Sequence, residues 1–273
     1  MAINKLLIAF IVLLGLTACS KFSKIQKSES VQERYNAAIA YYEKKDFYRA
    51  GVLFEDLVPL IKGTAEAEKT QLYYGYCQFY QKQYVLSAYY FKRFAENFPR
   101  SEFVEEALYM EVKSLYLDVP EYTLDQTNNY SAQDRIQAFF RQFPKTKYAQ
   151  ECNDIVDELR KKLEQKAYEN TYLYYKLRDY KAAIIAFDVF KAEYPLSSHI
   201  EEFTYLKVSA QYELAKISID SKKEDRFYQA IEFHQIFIDQ FPNSKFVKKS
   251  EEIYTDCNKQ IELVRIHLQH HKS

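Results

Sequence analysis

Glycine is scarce in this sequence. Gly15, Gly51, Gly63 and Gly75 are the four in 273 residues, and no two stand close enough to build a phosphate-cradling loop. The dinucleotide fingerprint and the P-loop both need clustered glycines for tight turns and close backbone approach, so both are excluded. So few glycines also speak against a turn-rich all-β fold and for helices. Net charge is missing as well. Lys and Arg number 38, and so do Asp and Glu, so the overall balance gives no electrostatic case for nucleic acid or for an anionic membrane surface. Tryptophan is absent, and neither HExxH nor GxSxG occurs. The chain therefore reads as non-enzymatic, although a triad assembled from distant residues leaves no mark in one sequence. What is plentiful is aromatic: 26 Tyr and 20 Phe bring that class to 17%.

The N-terminus reads as an address. One lysine in the first five residues precedes a 13-residue apolar and small run, Leu6 to Ala18. That suits a signal-peptide core and falls short of the ~18 residues of a spanning helix. The run ends Leu16-Thr17-Ala18-Cys19, which resembles a bacterial lipobox, with Cys19 as the lipidated first residue of a 255-residue mature chain. Two or more acyl chains there give stable anchoring where one is marginal. Ser20-Lys21 follows, without the aspartate that retains enterobacterial lipoproteins at the inner membrane. By that resemblance the expected address is the periplasmic face of the outer membrane.

Cys77, Cys152 and Cys257 remain, an odd number for an oxidising compartment. No CxxC or metal-ligand spacing links them. They read as buried packing thiols, while one disulfide, of unspecified pairing, stays open. Five histidines occur: His199, His234, His267, His270 and His271. The last three stand at i, i+3 and i+4, a spacing that can place imidazoles on one helical face. They fall in the final seven residues and read as a polar tail, so no metal is expected.

A repeat fills the rest. Phe98-Pro99-Arg100-Ser101, Phe143-Pro144-Lys145-Thr146, Tyr194-Pro195-Leu196-Ser197 and Phe241-Pro242-Asn243-Ser244 are alike, their rings 45, 51 and 47 positions apart. Each follows one amphipathic stretch and precedes another: helix end, proline stop, hydroxyl near the next helix start. Ser30-x-x-Glu33 and Ser198-x-x-Glu201 have the form of capping boxes. Self-similarity at this period signals a stacked helical-hairpin solenoid.

The finer pattern resembles the tetratricopeptide repeat. The first unit offers Ala38, Tyr41, Phe47, Ala50, Phe54 and Leu57; the second Gly75, Tyr84, Phe91 and Pro99; the fourth Tyr174, Tyr180, Ala183, Phe187 and Pro195. Small residues let paired helices approach while rings fill the wedge between hairpins, which accounts for much of the aromatic excess. The third and fifth units depart, with Asp118 to Tyr130 and Ser221 to Arg226 reading as insertions between helices, and Lys62-Gly63 replaces the first unit's proline. The expected fold is all-α: a right-handed solenoid of about five tetratricopeptide-like hairpins and a C-terminal capping helix from about Phe246 to Leu268. Residues 1–18 then form the signal peptide, 19–30 the lipidated cysteine and linker, 31–244 the repeat array, and 245–273 the capping helix and polar tail.

Lipobox, five hairpins and aromatic-Pro-x-Ser/Thr-x-aromatic junctions together resemble the BamD family, lipoproteins of the outer-membrane β-barrel assembly machine. The likeness is strongest from Leu124-Asp125-Gln126 through Ala138-Phe139-Phe140-Arg141-Gln142-Phe143-Pro144-Lys145-Thr146-Lys147-Tyr148-Ala149, and it covers essentially the whole mature chain. The tyrosine content and small insertions look like a Bacteroidetes version. The resemblance implies a scaffold that does no chemistry and needs no cofactor beyond the lipid on Cys19. It implies binding of the periplasmic domains of the barrel subunit BamA through C-terminal repeats, here Phe203 to Glu262. It also implies recognition of the C-terminal strands of unfolded outer-membrane β-barrel proteins by N-terminal repeats.

Positions 2, 5, 9, 12 and 13 of a tetratricopeptide first helix commonly face the groove. In repeat one these are Gln32, Tyr35, Ile39, Tyr42 and Glu43; in repeat two Lys69, Leu72, Tyr76, Phe79 and Tyr80. The candidate substrate-peptide groove is therefore Tyr35, Ile39, Tyr42, Lys69, Leu72, Tyr76, Phe79 and Tyr80. Rigid rings suit an extended peptide with alternating aromatic side chains, and Lys69 suits its terminal carboxylate. Tyr168, Tyr172 and Tyr175 occupy the corresponding positions of repeat four, as a second peptide surface or a partner contact. The rival reading is another tetratricopeptide lipoprotein adaptor: a secretin pilotin, or a coordinator of cell-wall synthesis with envelope constriction. The five-repeat length and Phe-Pro-x-Ser junctions favour BamD over the first. Against the second stands the short polar linker Ser20 to Ser30, where a coiled coil would be expected.

Overall fold

The computed structural model describes residues 21–270; the signal peptide and Cys19 lie outside the described residues. Among them there is no strand, and twelve helices follow in chain order. They are α1 (21–26), α2 (Val31–Glu43), α3 (Phe47–Leu57), α4 (Glu66–Tyr80), α5 (Tyr84–Asn97), α6 (Val104–Leu117) and α7 (Thr127–Gln142). Then come α8 (Ala149–Lys176), α9 (Tyr180–Glu193), α10 (Ile200–Lys216), α11 (Asp220–Gln240) and α12 (Val247–His270). Consecutive helices pack in pairs, as in a tetratricopeptide-like solenoid. The chain divides into two compact units, the first ending at Leu159 and the second beginning at Arg160.

In the first unit one core forms inside hairpin α2–α3 and against α4, around Ala38, Ala50, Leu53, Phe54 and Leu57. A second runs through α5, α6 and α7 to the start of α8, around Phe91, Phe94, Val112, Ile136, Phe139, Cys152 and Leu159. Each ring so buried contributes roughly 2–3 kcal/mol relative to exposure. Gly75 is the close-approach residue: a Cβ there would stand 3.0–3.3 Å from three atoms of the Phe91 ring. The second unit has a core of Ala183, Phe187, Phe190, Phe203, Leu206 and Ala210 against the tyrosines of α8. Another, Ala215, Phe227, Ala230, Cys257 and Ile261, joins α10 and α11 to α12.

Local chemistry sets the helix ends. The Ser30, Asp46 and Asp179 side chains accept the backbone N–H of Glu33, Arg49 and Ala182, starting α2, α3 and α9. Three hairpin turns are made without glycine: Lys45, Lys82 and Arg178 have φ of 60°, 61° and 60°. At Lys45 the Asp46 N–H donates to the Tyr41 carbonyl and the Lys45 N–H to that of Tyr42, both at 2.9 Å. This is the paired bonding of a Schellman helix end, and Lys82 and Arg178 repeat it.

The aromatic-Pro-x-Ser/Thr junctions are clasps built from the same parts. Ser101, Thr146, Ser197 and Ser244 accept the backbone N–H two residues on, at 3.0, 3.2, 3.1 and 3.1 Å. Ser101 also donates to Glu68, Thr146 to Glu105 at 2.6 Å and Ser244 to Glu201 at 2.6 Å, each glutamate in the first helix of the preceding hairpin. The ring two residues past the hydroxyl stacks on that helix: Tyr148 on Tyr109 at 3.9 Å, Phe246 on Tyr205 at 4.6 Å and His199 on Tyr168 at 4.0 Å.

The structure corrects the sequence reading at three places. Ser198 does not cap α10, because Ser197 makes the turn bond and Glu201 is held by Ser244. Ser221 to Arg226 is no inter-helix insertion: α11 begins at Asp220, whose carboxylate takes the Lys223 ammonium at 2.8 Å. Of Asp118 to Tyr130, Thr127 to Tyr130 is likewise the first turn of α7, whereas Asp118 to Gln126 is a true loop, tied down by its own hydrogen bonds. Buried Gln126 donates to the Glu121 and Leu124 carbonyls, and buried Asn129 ties Gln126 to the Leu159 carbonyl at 3.0 Å.

Candidate peptide-binding groove

Within the first unit a cavity of about 700 Å³ opens along α4, walled by Tyr42 of α2 and by Phe103 and Glu106 at the start of the third repeat. Of the eight groove residues expected from sequence, Tyr42, Lys69, Leu72, Tyr76 and Tyr80 line it together. Tyr35 and Ile39 are instead partly buried against the first core, and Phe79 against the second.

Ring stacking orders the cavity. Tyr42 lies on Tyr73 at 4.2 Å and 17°, Tyr80 lies on Phe47 at 4.3 Å and 22°, and Tyr76 meets Phe91 edge-on at 5.0 Å. Lys69 places its ammonium 5.1 Å from the Tyr73 ring centre, a cation–π contact that leaves the charge at the rim. The Tyr76 hydroxyl donates to Glu106, and Glu68 takes Ser101. Burial, then Glu106, pushes the Tyr76 hydroxyl far above its ordinary range; burial, then Tyr80, does so for Tyr42. Both stay neutral near pH 7. Leu72 is 4% exposed and serves as floor, whereas Tyr80, 51% exposed, offers its ring to solvent. The result is a ring-lined trough of mixed polarity with one ammonium and two carboxylates on its margin. Phe103, Glu106 and Tyr73 were not among the sequence candidates. Phe103 carries a signal nonetheless, as the ring closing the Phe98-Pro99 junction.

The model of the outer membrane lipoprotein family YfiO matches residues 27–171 and 162–269. The chain belongs to this BamD-type family. One relative is the outer membrane protein assembly factor BamD of Rickettsia prowazekii (strain Madrid E), 24% identical over 248 residues, covering 90% of this chain and 95% of that one.

In the second unit of this family member the repeat-four tyrosines form a ladder, Tyr168 to Tyr172 at 5.9 Å and Tyr172 to Tyr175 at 6.2 Å. The Tyr168 hydroxyl donates to Glu202 at 3.2 Å, and burial with that carboxylate pushes its pKa up to about 12. A cavity of about 570 Å³ opens among α10, α11 and α12, lined by Tyr212, Lys216, Lys223, Phe227, Leu263 and His267. It overlaps the stretch Phe203 to Glu262. His199 stacks on Tyr168, buried His234 shares a 2.8 Å hydrogen bond with Ser250, and His267 Nε2 lies 3.6 Å from Asp220. The side chains of His270 and His271 lie outside the described residues. Cys77, Cys152 and Cys257 are free and buried, and burial pushes the thiols up to about 12, 11 and 12, which leaves them unreactive near neutral pH.

Proposed function

We propose that this chain is a non-enzymatic scaffold of outer-membrane protein assembly, held to the periplasmic face of the outer membrane by lipid on Cys19. The observation that carries the reading is the family match across residues 27–171 and 162–269, joined to a relative named as an assembly factor. Its α4 cavity binds the C-terminal strands of unfolded β-barrel proteins. An extended strand sends alternate side chains to one side, and aromatic ones meet Tyr42, Tyr76 and Tyr80 while the terminal carboxylate meets Lys69. Large rigid rings give area at little entropy cost. The segment Phe203 to Glu262 engages the periplasmic domains of BamA.

The test is affinity recovery of the tagged chain from detergent-solubilised membranes, with mass spectrometry of co-purifying proteins and of the N-terminal peptide. Stoichiometric recovery of a large barrel protein with periplasmic repeat domains supports the assembly role. Recovery of a secretin or a cell-wall synthase in its place overturns it. A fluorescent peptide ending in an aromatic residue should bind the purified chain and weaken about tenfold or more with Tyr80→Ala, the loss expected of a contact ring.

A further inference from the structure

Residues 21–26 read in the sequence as part of a polar linker, yet they form a helical segment lying on the first hairpin. Phe22 meets Tyr41 edge-on at 5.7 Å, and the Arg49 guanidinium stands 5.8 Å from both ring centres. Ile25 packs beside Phe22 against the same core, and Gln26 donates to Asp56 of α3 at 3.5 Å. At about 100° per helical residue, Lys21, Lys24 and Lys27, the last in the turn that follows, fall within an arc of roughly 120°; Lys24 and Lys27 lie away from Phe22 and Ile25, and Lys21 borders them. All three are exposed, and none of the ion pairs among the described residues uses them. The zero net charge of the chain conceals this local concentration.

We propose that the segment is a membrane-facing clamp: Phe22 and Ile25 fix it to the first hairpin while the three lysines contact anionic lipid headgroups. The proximity part of the argument rests on the reading of Cys19 as the lipidated residue. Three residue steps separate Cys19 from Phe22 and span at most about 11 Å. Acyl chains at Cys19 therefore hold the start of the docked segment within about 11 Å of the headgroups, between one and two Debye lengths at physiological salt, where the lysines are only partly screened. A free tether would let the first hairpin wander; a docked one keeps it at the bilayer surface. Each lysine at an anionic surface contributes about fivefold in binding, so three contribute on the order of a hundredfold.

Two measurements test the clamp. First, the chain from residue 19 onward carrying Cys19→Ser is sedimented with phosphatidylglycerol–phosphatidylethanolamine vesicles and with pure phosphatidylcholine vesicles. Binding is expected to the anionic vesicles alone, lost at high salt and weakened on the order of a hundredfold in Lys21→Gln/Lys24→Gln/Lys27→Gln. Second, the acylated chain is reconstituted in the anionic vesicles with a fluorophore on Tyr48→Cys and a quencher on the lipid headgroups. Strong quenching is expected, and its loss in Phe22→Ser/Ile25→Ser, with circular dichroism confirming that the repeats remain folded. Binding that ignores the lysines, or quenching that survives Phe22→Ser/Ile25→Ser, overturns the clamp. The mass of the N-terminal peptide reports acylation separately. An unmodified Cys19 overturns the anchor and leaves the vesicle comparison standing as the test of the lysines.

Discussion

The Glu111 carboxylate sits 4% exposed in the core of the first unit, with one ion-pair partner, Arg135 Nη2 at 2.7 Å. Burial raises its pKa against the opposing pull of Arg135. Replacing Arg135 by Met leaves that carboxylate buried and uncompensated, a loss on the order of 3–5 kcal/mol at neutral pH. The sign of the pH dependence follows from the raised pKa. A carboxyl that holds its proton more tightly folded than unfolded adds stability below the unfolded pKa and loses it as pH rises through the folded one. Removing Arg135 raises the folded pKa further, and each pH unit inside that window costs about 1.4 kcal/mol. The Arg135→Met deficit should therefore be large at pH 8 and shrink by ~2 kcal/mol or more near pH 5. Adding Glu111→Met should restore stability to within about 1–2 kcal/mol of the parent, because an apolar pair of similar volume replaces a buried ion pair at little cost. Urea unfolding followed at 222 nm, at both pH values, measures all three chains. A deficit equal at the two pH values, or a double variant as weak as Arg135→Met alone, would refute the reasoning.

Other expectations concern single positions. Gly75→Ala presses a methyl onto the fully buried Phe91 ring; overpacking of about 1–3 kcal/mol should outweigh a helix-propensity gain of about 1 kcal/mol, so its melting temperature should fall. Lys82→Gly should raise stability by about 0.5–1 kcal/mol in the same urea assay, since glycine escapes the left-handed backbone cost that exceeds its own entropy cost. Burial lowers the His234 pKa, so its neutral form adds stability above the unfolded pKa, lost as pH falls through the folded one. Thermal melts of the parent should thus steepen their decline below about pH 6.5, the ordinary histidine value, and His234→Gln should flatten it.

Much of the architecture was legible because each junction writes its chemistry in adjacent residues. Ring, proline, hydroxyl and second ring in Phe241-Pro242-Asn243-Ser244-Lys245-Phe246 each have a local task, and spacing alone reveals the repeat. The hairpin turns were harder to read, since Lys45, Lys82 and Arg178 stand where a glycine would have announced the turn. Ser221 to Arg226 misled because a run of charged residues reads equally as loop or as exposed helix start. Counting along an ideal repeat names Tyr42, Lys69, Leu72, Tyr76 and Tyr80, and these five line the α4 cavity. The same count also names Tyr35, Ile39 and Phe79, whose side chains pack partly buried against the cores. Phe103 and Glu106 come from the next repeat, and a count made one helix at a time does not see across that boundary. Segment 21–26 was missed for another reason: two apolar residues among lysines are too few to make a pattern.

The clasps also govern where this chain can grow. Between the first ring and the second, the four clasped junctions have the same length, because the hydroxyl must reach a glutamate or a backbone amide and, at three of them, the ring stacks on the preceding helix. Inside the hairpins no such gauge applies: the turn after α2 is three residues, whereas the one after α6 runs from Asp118 to Gln126. Extra residues are therefore accommodated in the hairpin turns and in the connection from Val58 to Ala65, which has no clasp. The loop from Asp118 to Gln126 is the longest of these turns, and Tyr42, Tyr76 and Phe103 still line one trough.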